Sequence, residues 1–264
     1  MSFSINPTPT RFEWFRQKLQ TLIYKLDNSG DTDIEHNGEH VFIRALCAYY
    51  ATTEPLTVLD VGANYGDYSE LLLTERGQKA CAIHAFEPQQ SCFAKLTSLF
   101  GQNKQITLNN FGFSNAPATT TLYKNVEGSG LASLYERDLK HYGIDMSQTE
   151  EITVDRGDTY LTKHNISHIH LLKIDIEGHE IPALEGFGTY LSSEHIDFVQ
   201  FEYGGANLDA RSSLRELFTL LEGKGFIMTK MMRSGLERRT YHPRLENFVY
   251  QNWVAVSPRI LATP

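Results

Sequence analysis

Four ionisable side chains, Asp175, Glu177, His179 and Glu180, crowd into six residues of the string LLKIDIEGHEIPALEGF, which spans positions 171–187. Lys173, Asp175 and Glu177 alternate with Ile174 and Ile176, so the polar groups share one face where a predicted strand leaves its sheet. Gly178 permits a turn, and Pro182 suits the first turn of a helix. Burying carboxylates costs several kcal/mol unless they are paired or bound to something. The cluster therefore points to proton-transfer chemistry rather than to packing, although an Asp–Lys pair with a helix cap is the structural alternative. His179 ranks first as a general base, because an ordinary imidazole pKa of about 6.5 leaves it mostly neutral near pH 7. Glu177 follows, with Glu202 in QFEYGG at the exit of a later strand. Asp175, Glu177 and Glu202, with His179, also offer hard oxygen and imidazole ligands for a divalent cation. The reading adopted assigns no metal, since no spaced Asp–Asp–Asn set accompanies them.

A second constellation lies upstream. VLDVGANYGDYSELLL, positions 58–73, reads as a buried strand running through a small-residue turn into a helix. Asp60 ends the strand; Gly62, Asn64 and Gly66 follow at alternate positions around Ala63. Glycine, and to a lesser degree Asn, accepts positive φ and lets a ligand approach the backbone. The helix N-terminus that follows, with Tyr68 in its first turn, offers free N–H groups. Such a turn holds a nucleotide-like cofactor, and spacing chooses between two kinds. The dinucleotide fingerprint wants glycines as G-x-G-x-x-G around a pyrophosphate; here Asn64 and Asp67 stand at the second and third positions, and Asp67 would repel a pyrophosphate. The pattern D-x-G-x-N-x-G instead resembles motif I of the class I S-adenosylmethionine-dependent methyltransferases, whose cofactor carries no phosphate. Glu87 in HAFEP, 21 residues after Gly66, ends the next strand, placed to accept hydrogen bonds from both ribose hydroxyls. Pro88 then stops that strand, having no N–H for a ladder. In LNNFGFSN, positions 108–115, Asn110 or Phe111 is placed to border an adenine.

These residues need a scaffold, and the chain alternates accordingly. Strands are predicted at 57–61, 79–86, 105–111, 169–175, 197–202, 226–231 and 247–256, and helices near 66–75, 89–100, 181–190 and 212–224. That alternation indicates a parallel sheet with helices on both faces. The last two strands, joined by a long loop without helical pattern, suit an antiparallel edge hairpin. An insertion at about 114–163 carries two alternating segments, TTTLYK (119–124) and EITVDR (151–156), around a polar loop containing GSGLASL (128–134). It is expected over the carboxyl ends of the strands as a lid or substrate-shaping piece. Residues 1–52 read as a helical extension ahead of a 53–264 domain. Within the extension, Thr10 is placed to cap a helix over 11–26, with Phe12, Phe15, Leu19, Leu22, Ile23 and Leu26 on one face, and a second helix follows at about 39–51.

Composition bounds the function. A net charge of −8 over 264 residues argues against nonspecific nucleic-acid binding, and 41% hydrophobic with 21% charged residues is ordinary for a globular protein. No run approaches the ~18 apolar residues of a membrane span, and the N-terminus lacks a signal-peptide layout. Cys47, Cys81 and Cys92 have no metal-type spacing and are expected as reduced thiols in a cytoplasmic protein. HNISHIH, positions 164–170, is expected to flank a strand rather than bind zinc. Lys230, Arg233, Arg238, Arg239 and Arg244 cluster within 15 residues, chiefly a solvated loop, though suited to an anionic or nucleotide-linked acceptor.

LKIDIEGHE, together with DVGANYG, AFEP and HNGEH (36–40), resembles the FkbM-type methyltransferase family over roughly residues 36–230. One departure lies upstream, where the family's usual T-L-D is replaced by R-G-D. The resemblance implies a class I methyltransferase Rossmann-like fold, with a seven-stranded, mostly parallel sheet and an antiparallel edge hairpin. It also implies methylation of hydroxyl groups on sugars, polyketides or other secondary metabolites. In this chain the 60–66 turn would hold the methionine portion and Glu87 the ribose, while Asp175 and Glu177 would face the sulfonium and the acceptor.

The expected function is transfer of a methyl group from S-adenosylmethionine to a hydroxyl of a small molecule, glycan or secondary metabolite. A nicotinamide-dependent oxidoreductase is disfavoured by Asp67 and by the lack of a suitably placed Tyr-x-x-x-Lys pair. A noncatalytic cofactor-binding scaffold is disfavoured by the acids after Lys173. A homodimer is plausible, because the apolar face of the first helix cannot bury itself alone.

Overall fold

The computed structural model describes residues 11–261. The helices α1 (Arg11–Leu26) and α2 (Glu39–Tyr49) precede β1 (Leu56–Val61), α3 (Asp67–Arg76), β2 (Cys81–Phe86), α4 (Gln90–Phe100) and β3 (Ile106–Asn109). A small three-stranded sheet follows, from β4 (Gly112–Phe113), β5 (Ala118–Lys124) and β6 (Gln148–Asp155). The chain then forms α5 (Gly157–Lys163), β7 (Ile169–Ile174), α6 (Glu180–Glu185), β8 (Ile196–Tyr203), α7 (Gly205–Asp209), α8 (Leu214–Gly223), β9 (Ile227–Met232), β10 (Gly235–Arg238) and β11 (Gln251–Val256). The Thr10 cap expected for α1 lies outside the described residues.

The main sheet runs β10-β9-β11-β8-β7-β1-β2-β3. β8, β7, β1, β2 and β3 are parallel, whereas β11 pairs antiparallel with both β8 and β9. Such strands are buried on both faces and read as near-continuous apolar runs. Alternate residues feed two cores. Leu59, Val61, Leu172, Ile174 and Phe201 face one, and Val58, Leu171, Phe198 and Val254 face the other.

The sheet has eight strands, not the seven expected. The additional strand, β10, is the polar stretch GLER, paired antiparallel with β9 at the sheet edge. It has no hydrophobic alternation to announce it, because an edge strand on a solvated face needs none. The strand expected at 105–111 is split: β3 stops at Asn109, and Gly112–Phe113 crosses into the small sheet beside β6. The helix expected over 181–190 ends at Glu185, and a 3-10 turn covers Gly188–Tyr190. Elsewhere local signals set the limits. Ser213 caps α8 by accepting the Glu216 N–H while Glu216 reaches back, a reciprocal capping box.

The order reverses between β1 and β7, since β1 leads on to β2 and β3 on one side while β7 and β8 extend the other. In open α/β sheets ligands sit outside the carboxyl ends at such a switch point. Register makes the ends level. Val61 stands opposite Phe86 and Ile174, and Ile174 opposite Phe201. The next residues, Gly62, Glu87 and Asp175 just past their strands and Glu202 still within β8, therefore stand at one height. The small sheet and the 125–147 loop close over this edge.

Candidate active site

The turn after β1 is built by close backbone packing. Gly62 and Ala63 both donate N–H to the Phe86 carbonyl at 3.0 Å, and Asp175 donates to the Val61 carbonyl at 3.0 Å. Gly62 sits at φ +83°, and a Cβ there would lie 1.8 Å from the Asp175 carbonyl oxygen. No side chain fits, so the backbone lies bare to whatever occupies the edge. Asn64 takes φ +48°, tolerable for Asn, and turns its N–H to Glu87 Oε2 at 2.9 Å. Asp60 is fully buried, accepts Ser69 Oγ at 2.7 Å, and lies 3.6 Å from Lys173 Nζ.

Two cavities meet at this turn. One, of about 110 Å³, has apolar walls from Pro88, Phe113, Leu122, Ile152, Val154 and Ile176, with Glu87 at its edge. The other, of about 610 Å³, carries Glu39, Asp175, Glu177 and Glu202 against Lys173 and Arg137, with Tyr65, Tyr68 and Tyr250 also on its wall. Gly62, Asn64, Gly130, Asp175 and Glu177 border both.

Glu87 accepts N–H groups from Asn64 and Gln89, the latter at 2.7 Å. Burial pushes its carboxyl up to about 7 against those donors. Glu177 is held at φ +52°, a strained value for a side-chain-bearing residue. The insertion fixes it there. Ser133 donates to its carbonyl at 2.7 Å, and Arg137 Nη1 lies 2.7 Å from its carboxylate. Burial, with Asp175 and Glu180 nearby, nevertheless raises Glu177 to about 8. Glu202 is also raised well above its ordinary range, by burial and by Asp175 and Glu177. Lys173 is held above its ordinary range by Asp175, Asp60 and Glu39 although burial opposes its charge. Its Nζ lies 3.2 Å from Asp175.

The sequence's first-ranked base sits elsewhere. His179 lines the smaller, apolar cavity and not the larger one. Its Nδ1 meets Tyr135 Oη and its Nε2 meets Ser114 Oγ, each at 3.0 Å. Burial lowers its pKa to about 4. Glu180 is a structural acid, accepting N–H from Gly178 at 3.0 Å and Asn207 Nδ2 at 3.2 Å.

Other anticipated residues divide similarly. Ala63 and Tyr68 line the larger cavity, and Pro88 the smaller. Asp60, Gly66, Asn110 and Phe111 border neither. Gly66 packs its α-carbon face against Phe100 and Leu96. Asn110 ties the strand ends together by donating to the Glu87 and Pro88 carbonyls, and Phe111 packs on Phe86 and Phe113. Their place is taken by Gly112 and Phe113, two residues on, because the chain changes sheets between Asn109 and Gly112. The basic cluster also stays away. Lys230 and Arg239 pair with Asp27, and Arg233 with Asp31.

Glu39 and Arg137 also line the larger cavity, and neither stands in a motif that announces a site. Glu39 lay within HNGEH; it accepts Gln200 Nε2 at 2.6 Å and Asn37 Nδ2 at 2.8 Å. Arg137 carried no local signal.

Among the described residues, the three side chains close enough to share an ion are His168, His170 and Asp197. They lie at the amino ends of β7 and β8, away from both cavities. His170 Nδ1 accepts the Thr57 N–H at 3.0 Å, while Asp197 already serves Tyr50, His168 and Arg259.

A family description, the methyltransferase FkbM domain, matches residues 60–228, more than half of the chain. The chain belongs to the FkbM methyltransferase family. A curated relative, Methyltransferase 1 of Beauveria bassiana (strain ARSEF 2860), is 29% identical over 190 residues, covering 64% of this chain and 71% of that protein. Among solved structures, the FkbM methyltransferase of Methylobacillus flagellatus KT superposes with a TM-score of 0.46 at 14% identity, covering 81% of this chain and 48% of that one. A TehB-like SAM-dependent methyltransferase from Corynebacterium glutamicum has a TM-score of 0.42 at 10% identity, covering 95% and 100%. The strand order and register alone define the α/β fold. This FkbM-family chain is an S-adenosylmethionine-dependent methyltransferase with a mostly parallel class I sheet. No helix among its described residues is long and apolar enough to cross a membrane.

Proposed function

We propose that the chain methylates a hydroxyl oxygen of a small molecule, glycan or secondary metabolite. The observation that carries this reading is the position of Glu177. It borders both cavities with a carboxyl raised to about 8. A base is most effective when its pKa lies near the working pH.

S-Adenosylmethionine fits the residues present. The bare backbone at Gly62 gives the close approach, the smaller apolar cavity suits an adenine, and Glu87 retains lone pairs for ribose hydroxyls. Asp60, Ala63, Asn64, Tyr68 and Asp175 belong to the same proposed cofactor region, with Asp60 acting through Ser69 and Lys173. When bound, this cofactor supplies an electrophilic methyl group on a sulfonium. The chain then has to align a hydroxyl, remove its proton and exclude water.

In this assignment Glu177 would accept the proton that the acceptor hydroxyl gives up as its oxygen takes the methyl group and the carbon–sulfur bond breaks to leave a neutral thioether. Arg137 sets the direction of its carboxylate. Glu202, its carboxyl raised by burial beside Asp175, lines the acceptor space. Lys173 holds Asp175 in place. The 125–147 loop covers the edge and keeps bulk water out. His179 becomes a positioning residue, joining Tyr135 to Ser114 behind the adenine cavity.

Methyl transfer to a panel of polyhydroxylated acceptors, with mass spectrometry locating the new methyl, tests the reading. Methyl groups on oxygen support it. Transfer to nitrogen or carbon alone overturns it.

A further inference from the structure

We infer that α1 is a membrane-surface anchor that docks this enzyme on anionic lipid bilayers. One flank of the helix faces Arg244, Leu245 and Asn247 across a groove, yet every side chain described on it is exposed except the half-buried Glu13 and Tyr24. Phe12 is 77% exposed, Leu26 71%, Ile23 59% and Phe15 54%. At 100° per residue these four share one stripe with Leu19 and Leu22. A soluble surface does not leave six large apolar side chains contiguous in water unless something covers them.

Charge selects the occupant. Trp14, Lys18 and Lys25 run along one margin of the stripe, with Lys18 Nζ 4.5 Å over the Trp14 ring. Arg16, which also pairs with Glu13, lies on the opposite margin. On that side Arg244 joins Arg16, Leu19 and Ile23 around a groove of about 540 Å³. An apolar stripe bordered by lysine, arginine and tryptophan matches the acyl–headgroup boundary, where the stripe enters the lipid and the cations meet phosphate. A second copy of the helix is the poorer partner. Its margins carry mainly one sign, whereas helix pairing uses opposite charges at flanking positions. The placement has a functional corollary. Chain 27–34 leads directly from α1 to Thr32 and Ile34 on the wall of the larger cavity.

The full chain is tested by co-sedimentation with vesicles of phosphatidylcholine mixed with phosphatidylglycerol, and with phosphatidylcholine alone. Partition onto the anionic vesicles that weakens as salt rises is the expected result. The double variant Lys18→Glu, Lys25→Glu is expected to reduce it by about tenfold or more. Leu19→Glu with Ile23→Glu is expected to abolish it, leaving melting temperature and S-adenosylhomocysteine binding unchanged. Three outcomes overturn the inference. These are no partition, equal partition onto neutral vesicles, or a dimer in sedimentation velocity that Leu19→Glu converts to monomers without any vesicle binding.

Discussion

Gly62 and the carbonyl of Asp175 are packed so tightly that one methyl group between them would overlap the oxygen at 1.8 Å. The contact joins the exits of β1 and β7, the two strands flanking the switch point. Gly62→Ala is expected to destabilise the fold by ~2 kcal/mol or more, since positive φ and a backbone clash add. S-Adenosylhomocysteine binding should fall below detection by calorimetry. Gly143→Ala is the control. It also has positive φ, +71°, but nothing stands within 4 Å of its Cβ position, so a loss of ~1 kcal/mol is expected.

Glu87 separates stability from affinity. Glu87→Ala strands the buried N–H groups of Asn64 and Gln89 and should cost ~1–3 kcal/mol in denaturant unfolding. Glu87→Gln keeps an oxygen for one of them. It should still weaken S-adenosylhomocysteine by roughly tenfold or more, because an amide donor replaces one acceptor oxygen.

Glu177 and His179 make opposite predictions. Glu177→Gln should lower kcat ~100-fold or more. In the wild type, kcat/KM should rise towards a plateau above pH 8, following a carboxyl of the free enzyme that must lose its proton near 8. His179→Ala should leave kcat within about threefold and chiefly weaken cofactor binding. Steady-state kinetics over pH distinguishes them, and loss of turnover in the His179 variant alone would return the base to the imidazole.

The same carboxyls set a stability slope. Glu87 and Glu180 rise to about 7 and Glu177 to about 8, so each keeps its proton in the folded chain after the unfolded chain has lost it. The folded state binds more protons between about pH 5 and 8, and stability falls as pH rises through that window. Melting temperature should decline accordingly, and Glu180→Gln should flatten the decline.

Much of this was legible because it is local. The glycines and Asn64 declare a strained turn, and the alternation around Lys173 declares one polar face. Ser213 with Glu216 declares a helix start. Levelness of Gly62, Glu87, Asp175 and Glu202 follows from strand pairing, which spacing alone only approximates. The rest depends on where chain segments meet. Asn110 and Phe111 missed the cavity because β3 ends early and the chain crosses to another sheet. His179 is a plausible base by chemistry, but one turn of backbone after Gly178 points it to the opposite cavity from the larger group of acids. Arg137 is 40 residues from Glu177 in sequence, and no periodicity connects them.

Ser133, Tyr135 and Arg137, three alternate residues of one loop, grip Glu177 and His179 from above. The wall that shapes the acceptor space thus also tunes the proton affinity of the proposed base. A chimaera receiving this insertion from another enzyme would inherit a new pH optimum together with a new substrate preference. Selectivity and tempo travel here as a single heritable trait.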